Sequence, residues 1–148
     1  MSAGLQTPAE LGAVQRVFVV EDHPLMQQTL TECISAMPDA EVSGSAATGE
    51  DALEQLLDAK ADLALVDMSL PKMSGADLIL RLQTQCPQLL CLVLSGHREP
   101  GYVERALAAG ARGYVLKGNP YELAEAIRMV LRGQIYLSKP LRGQGNGG

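Results

Sequence analysis

Apolar residues along the chain follow two different periods. Five short runs have the length of strands: VFVV (17–20), EVSGSAA (41–47), LALV (63–66), LLCLVL (89–94) and GYVL (113–116). Those beginning at 17, 63 and 89 lack polar alternation, which predicts parallel strands covered on both faces. The second run contains Ser43, Gly44 and Ser45 and reads as an edge strand. Between and after the runs, apolar residues recur at helical spacing. The stripes are Met26, Leu30, Cys33, Ile34 and Met37, then Leu53, Leu56 and Leu57, then Leu78, Ile79 and Leu82. Val103, Ala106 and Leu107 continue the series, and Leu123, Ile127, Val130 and Leu131 close it. The methionines in these stripes read as core filler, because a flexible thioether packs irregular gaps.

Breakers fall where these patterns change. Pro38 in MPDAE and Pro87 in QCPQ cannot continue a helix and end the first and third stripes. Gly110 is placed to C-cap the fourth helix. Asn119 and Pro120 suit the N-cap and first position of the fifth. Strand and helix thus alternate five times. That order implies right-handed βαβ units, and so an α/β fold with a doubly wound five-stranded parallel sheet and helices on both faces. The stretch LSKPLRGQGNGG (137–148) has four glycines and little apolar content and reads as a linker or frayed tail. The expected organisation is an N-terminal extension over 1–14, one domain over 15–133, and a linker or tail over 134–148.

Composition narrows the class. With 148 residues, 47% of them hydrophobic and 20% charged, the chain can bury a core without staples. No run of about 18 apolar residues is present, so no membrane span is expected. The opening MSAGLQTPAELGAVQ has no basic start and no sustained apolar core, so a signal peptide is not expected and a reducing, cytoplasmic setting is. Cys33, Cys86 and Cys91 are odd in number and lack C-x-x-C spacing, which disfavours a disulfide framework or a zinc site. A net charge of −5 argues against non-specific nucleic-acid binding by this chain itself.

Ligands of open parallel sheets sit outside the carboxyl ends of the strands. There the first run is followed by Glu21 and Asp22, the third by Asp67, the fourth by Ser95 and the fifth by Lys117. Each has an ordinary reading alone: a helix cap for Glu21 and Asp22, a turn residue for Asp67, a turn hydroxyl for Ser95, a surface amine for Lys117. Together on one edge they are hard to explain that way. Carboxylates about 4 Å apart repel by about 4 kcal/mol per pair at an effective dielectric near 20. Three of them call for a compensating cation, and hard oxygen ligands with room for water suit Mg²⁺ better than Zn²⁺. A metal and an ammonium facing one carboxylate can accept a phosphoryl group. His23 and His97 lack ligand spacing and read as local hydrogen-bonding residues.

VVEDHP, LVDMSLPKMSG, VLSGH and GARGYVLKG, in this order and spacing, resemble the receiver domains of two-component response regulators over about residues 15–133. The resemblance implies strand order 2-1-3-4-5, Asp67 as acceptor of a phosphoryl group from a sensor histidine kinase, and Mg²⁺ held by Glu21, Asp22, Asp67 and the backbone of Ser69. It implies that Ser95 and Lys117 bind phosphoryl oxygens and that Tyr114 moves inward on switching. Pro71 and Gly75 would shape the loop after the acceptor. EDHP, GARGYVLK and GQIYLS resemble the NarL/FixJ-type regulators, implying a DNA-binding output domain that this sequence does not contain and a possible phosphorylation-dependent homodimer. The alternative is a stand-alone receiver acting in a phosphorelay or as a protein-interaction module. No enzyme is expected beyond catalysis of its own phosphorylation and dephosphorylation. A phosphatase of the haloacid-dehalogenase type would need an acid at position 69, where Ser69 stands. A flavin site would want a phosphate-cradling loop after the first strand, where the acidic EDHP lies instead.

Overall fold

All five apolar runs form strands in the computed structural model, which describes residues 12–143. Residues 1–11 of the expected extension and 144–148 of the expected tail lie outside the described residues. In chain order the elements are β1 (Gln15–Val20), α1 (Pro24–Ser35), β2 (Ala40–Ala46), α2 (Gly49–Asp58), β3 (Leu63–Asp67) and α3 (Gly75–Gln85). They continue with β4 (Leu90–Ser95), α4 (Pro100–Ala109), β5 (Gly113–Leu116), α5 (Pro120–Leu131), β6 (Tyr136–Leu137) and a 3₁₀ turn over Lys139–Leu141.

The sheet is parallel throughout, in order β2-β1-β3-β4-β5-β6. Strand side chains alternate in direction, so each strand supplies both cores. Val17, Val19, Leu63, Leu65, Leu92, Leu94 and Val115 pack with α1 and α5. Phe18, Val20, Ala64, Val66, Cys91, Val93 and Tyr114 face the other way, toward α2, α3 and α4. The absence of polar alternation in the central strands is the consequence of this two-sided burial.

Local signals act where expected. Asn119 caps α5 by accepting hydrogen bonds from the N–H groups of Tyr121 and Glu122, with Pro120 in the first turn. Gly110 ends α4 in the left-handed region at φ 119°. The weak second run does form the β2 edge, but with an irregularity: the register slips between Val17 and Phe18, which pair with Val42 and Gly44. The Phe18 ring fills the space over Gly44, where a Cβ would lie 2.9 Å from Cε2.

Three expectations are corrected. The sheet has six strands, not five, because Tyr136 and Leu137 pair with Gly113 and Tyr114. The start of the expected tail is packed rather than frayed, since Ser138 and Leu141 are both buried. The packed unit therefore continues past residue 133. Leu57 does not join the inward stripe of α2: Ala52 and Leu56 point into the core, and one further step around the helix leaves Leu57 59% exposed.

Two contacts tie distant segments and can be tested. The guanidinium of Arg128 on α5 grips Asp39 before β2 in two hydrogen bonds, Nε to Oδ2 at 2.8 Å and Nη2 to Oδ1 at 2.9 Å. This pair holds the Asp39 carboxyl below its usual range. A depressed carboxyl contributes stability above its unfolded pKa and loses it as pH falls through the folded value. Because both partners are half-exposed, Asp39→Asn is expected to cost only about 0.5–1 kcal/mol at neutral pH. The difference should vanish once acid has protonated Asp39, as read by urea unfolding across pH. Gly75 is the second case, since a Cβ there would collide with the backbone carbonyl oxygen of Asp67 and lie 2.9 Å from Met68 Cα. Neither can yield as a side chain would, so Gly75→Ala is expected to lower stability by about 1–3 kcal/mol in the same assay.

Candidate functional site

The parallel register carries the polar strand ends to one edge. β1 pairs with β3 and β3 with β4, so Glu21, Asp67 and Ser95 follow one another across the sheet. Lys117 N–H then donates to Ser95 O at 2.9 Å from the end of β5. All the residues expected at this edge are brought together. Glu21 and Asp67 are buried, Asp22 and Lys117 half-buried, and Ser95 buried.

Lys117 sits between two carboxylates. Its Nζ lies 3.3 Å from Asp67 Oδ2 and 3.5 Å from Glu21 Oε1. The other oxygen of Asp67, Oδ1, accepts from Ser69 N–H at 3.1 Å, so the carboxylate is held by loop and lysine together. Glu21 Oε2 accepts from the backbone N–H of His23 at 3.2 Å, and His23 Nδ1 lies 3.1 Å from the same oxygen. Burial pushes the Glu21 carboxyl above its usual range, with the nearby Asp67 charge adding to the effect and the His23 N–H opposing it. The hydrogen bond to Glu21, helped by the Asp22 charge, raises the His23 imidazole. Neither Glu21 nor Asp22 caps α1. The N-cap is His23, without a side-chain cap.

Two buried carboxylate oxygens lack a hydrogen bond: Glu21 Oε1 has only the Lys117 ammonium at 3.5 Å, and Asp22 Oδ1 only His23 Nδ1 at 3.3 Å. Buried acceptors are rarely left so, and an ion is one of the things that satisfies them. Glu21, Asp22, His23 and Asp67 each offer a ligand atom, and these atoms lie within 4.8 Å of one another. Mostly oxygen donors with orphaned lone pairs fit a hard divalent cation such as Mg²⁺. The donor set and the orphans thus agree with the cation expected from the sequence.

A second group of contacts surrounds Ser95. Its Oγ accepts from His97 N–H at 3.0 Å. Tyr114, with no exposed surface, donates its hydroxyl to His97 O at 2.9 Å. Burial raises the Tyr114 phenol above its usual range, and the adjacent Ser95 hydroxyl partly offsets this. His97 also stacks on Tyr102 with ring centroids 4.1 Å apart, and its Nε2 lies 3.3 Å from Ser69 Oγ. The local bond of His97 to Ser95 fits the hydrogen-bonding role read for it, whereas its contacts with Ser69 and Tyr114, 28 and 17 residues away, have no signal along the chain. Gln27 was also missed: its amide spans Glu21 O at 3.0 Å and Ala46 O at 3.4 Å. In the loop after Asp67, Pro71 O accepts from Met73 N–H at 2.7 Å, Lys72 takes φ 65°, and Gly75 N–H returns to Met68 O at 3.0 Å.

Comparison with known proteins agrees with this geometry. The family model described as the response regulator receiver domain matches residues 17–128. The transcriptional activator protein ExaE of Pseudomonas putida is 37% identical over 133 residues, covering 86% of this chain and 60% of that protein. The DNA-binding transcriptional activator DevR/DosR of Mycobacterium tuberculosis is 33% identical over 123 residues, covering 82% and 57%. This chain therefore spans about three fifths of the length of these curated relatives. Among solved structures, a LuxR-family two-component response regulator from Aurantimonas sp. SI85-9A1 superposes with TM-score 0.84 at 25% identity, covering 87% of this chain and 93% of that one. The signal receiver domain of NarL from Mycobacterium tuberculosis gives TM-score 0.76 at 31% identity, covering 82% and 99%. From its sheet order, its acidic strand ends and a family match over most of the described residues, this chain belongs to the response regulator receiver domains of two-component signalling.

Proposed function

We propose that Asp67 accepts a phosphoryl group from the phosphohistidine of a sensor kinase and that the resulting acyl phosphate switches the domain. The observation that carries this reading is Lys117 Nζ lying 3.3 Å from Asp67 Oδ2, beside two orphaned carboxylate oxygens. In the transfer, a carboxylate oxygen of Asp67 forms a bond to phosphorus as the phosphorus–nitrogen bond breaks. The electron pair leaves on the imidazole nitrogen of the donor, whose other ring nitrogen carries a proton, so that a neutral histidine is left. Glu21, Asp22 and Asp67, with the backbone of Ser69, would hold Mg²⁺, which when bound supplies positive charge against the phosphoryl oxygens.

The chain's own groups do the rest. Lys117 stays near Asp67 and pairs with a phosphoryl oxygen. Ser95 exchanges its contact with His97 N–H and its place beside the Tyr114 hydroxyl for a bond to another phosphoryl oxygen. The Tyr114 ring is already buried, so the switch changes its hydroxyl partners and needs no inward swing from solvent. Pro71 and Gly75 shape the β3–α3 loop so that Asp67 stays open to a donor. Gly75 is needed because its α-carbon packs on the Asp67 carbonyl.

The output proposed is transcription, through a DNA-binding segment of a longer protein. The support is that ExaE and DevR/DosR are transcriptional activators and exceed this chain in length. A phosphorylation-dependent homodimer would be one way to deliver it. Among the described residues no helix is long and apolar enough to cross a membrane.

With acetyl phosphate and Mg²⁺, intact-mass measurement is expected to show one added phosphoryl group. Asp67→Asn should show none, and chelation of Mg²⁺ should abolish the gain. An equal gain in Asp67→Asn would overturn the reading. Lys117→Ala is expected to accept the group roughly tenfold more slowly, as befits the loss of one charge-assisted hydrogen bond. It should also lack the phosphorylation-induced shifts of Tyr114 resonances that are expected by NMR in the unaltered chain.

A further inference from the structure

The segment after α5 makes contacts that a linker does not need. The β5–β6 ladder is only two pairs long, Gly113 with Tyr136 and Tyr114 with Leu137, and ends where Ser138 N–H donates to Tyr114 O at 3.1 Å. The next amide on that edge of β5 is Leu116 N–H, and a longer β6 would meet it with a backbone carbonyl. Instead the chain turns away at Lys139–Leu141. The Ser138 hydroxyl stands in for the missing carbonyl. It accepts from Leu116 N–H at 2.8 Å and donates to Glu122 Oε1 on α5 at 2.8 Å. The second carboxylate oxygen, Glu122 Oε2, accepts from the Tyr136 hydroxyl at 3.0 Å.

Packing around this network is tight. Ser138 has no exposed surface, and Leu141 joins the core that contains Tyr114 and Leu116. A Cβ at Gly113 would lie 2.9 Å from Tyr136 O, so glycine there permits β6 to approach. Leu116 directly precedes Lys117, whose own N–H is held by Ser95 O on the opposite edge at 2.9 Å. The strand end that presents Lys117 is thus gripped on one side by Ser95 and on the other by Ser138.

We infer that residues 136–141 form a latch on the end of β5, with Ser138 as a positioning residue for Lys117, and that latch closure and occupancy of the Asp67 site favour each other. This rests on the phosphoacceptor reading of Asp67. Negative charge added at Asp67 draws the Lys117 ammonium and holds the end of β5 where the latch grips it. Coupling between two equilibria is reciprocal, so a closed latch must also favour an occupied site. A two-pair ladder closed by three side-chain hydrogen bonds is small enough to open without global unfolding.

The test uses the full 148-residue chain with Mg²⁺ and beryllofluoride, a non-covalent mimic of the phosphoryl group. Amide exchange at Leu116 and Ser138 is expected to slow about fivefold or more on adding it, while Val17 and Leu63 in the β1–β3 ladder stay unchanged. Ser138→Ala should abolish that selective slowing and weaken beryllofluoride binding by a similar factor. Tyr136→Phe, which loses only one hydroxyl, should do the same in part, and it decides the matter if Ser138→Ala does not fold. Unchanged or faster exchange at both amides would overturn the latch. So would variants that are less stable yet bind beryllofluoride with unaltered affinity, the result of a merely structural role. If acetyl phosphate phosphorylates the chain in either case, the phosphoacceptor reading stands alone. If no phosphoryl group is gained, both fall.

Discussion

Like charges crowded at the ends of neighbouring strands are the constraint on which the rest of the structure depends. Glu21 and Asp67 are buried and Asp22 is half-buried beside them, and burial opposes ionisation of Glu21. The only ammonium among the described residues paired with this group is Lys117, reaching Asp67 and Glu21 from β5. Holding it there requires β5 to run in register past β4, and β4 to separate β5 from β3. The sheet order is what lets one lysine, at the end of β5, face two carboxylates at the ends of the adjacent strands β1 and β3. One lysine, with the His23 imidazole beside Glu21 and Asp22, is still a thin balance against three acids, and Glu21 Oε1 and Asp22 Oδ1, which lack hydrogen bonds, mark where it is thinnest.

The two faces of the sheet divide the consequences of that arrangement. On the α1 and α5 side, strand residues such as Val19, Leu65 and Val115 are aliphatic, and α1 sends the Gln27 amide to the acidic edge, where it donates to Glu21 O. On the other side lies Tyr114, whose hydroxyl reaches His97 O while its backbone carbonyl accepts from Ser138 N–H. A single residue of β5 therefore touches the loop over Ser95 and the segment after α5. A charge change at Asp67 has a short physical route through β5 that does not require disturbing the aliphatic core.

Much of this was legible in the sequence, for physical reasons that also explain the failures. Strand runs end where backbone leaves the sheet, so Asp67 after LALV and Ser95 after LLCLVL announced their positions without any tertiary information. Asn119, Pro120 and Gly110 worked because caps are local chemistry. β6 was missed because two residues cannot display a period, and YL sits among glycine, lysine and proline that suggest a tail. Its strand character comes from pairing with Gly113 and Tyr114, some 23 residues earlier, a number that follows from the register. Leu57 failed differently. Three leucines within five positions satisfy a helical stripe on paper, but a ten-residue helix on a flat sheet buries only the narrow centre of that stripe.

Hydrogen bonds to His97 and Ser138 show where such reading must stop. Both residues act through groups whose partners are set by where another strand happens to end. Ser138 matters because β6 is too short to supply a carbonyl to Leu116, and His97 matters because its backbone lies between Ser95 and Tyr114. Neither relation has a spacing rule. Removing the Ser138 hydroxyl leaves the buried Leu116 amide without its partner, a loss of about 1–3 kcal/mol, while the Glu122 carboxylate keeps the Tyr136 hydroxyl. That is comparable to the coupling energies by which regulated proteins shift their populations. Residues of this kind can therefore bias a switch without contacting the chemistry, and in this fold they flank the strand that leads to Lys117.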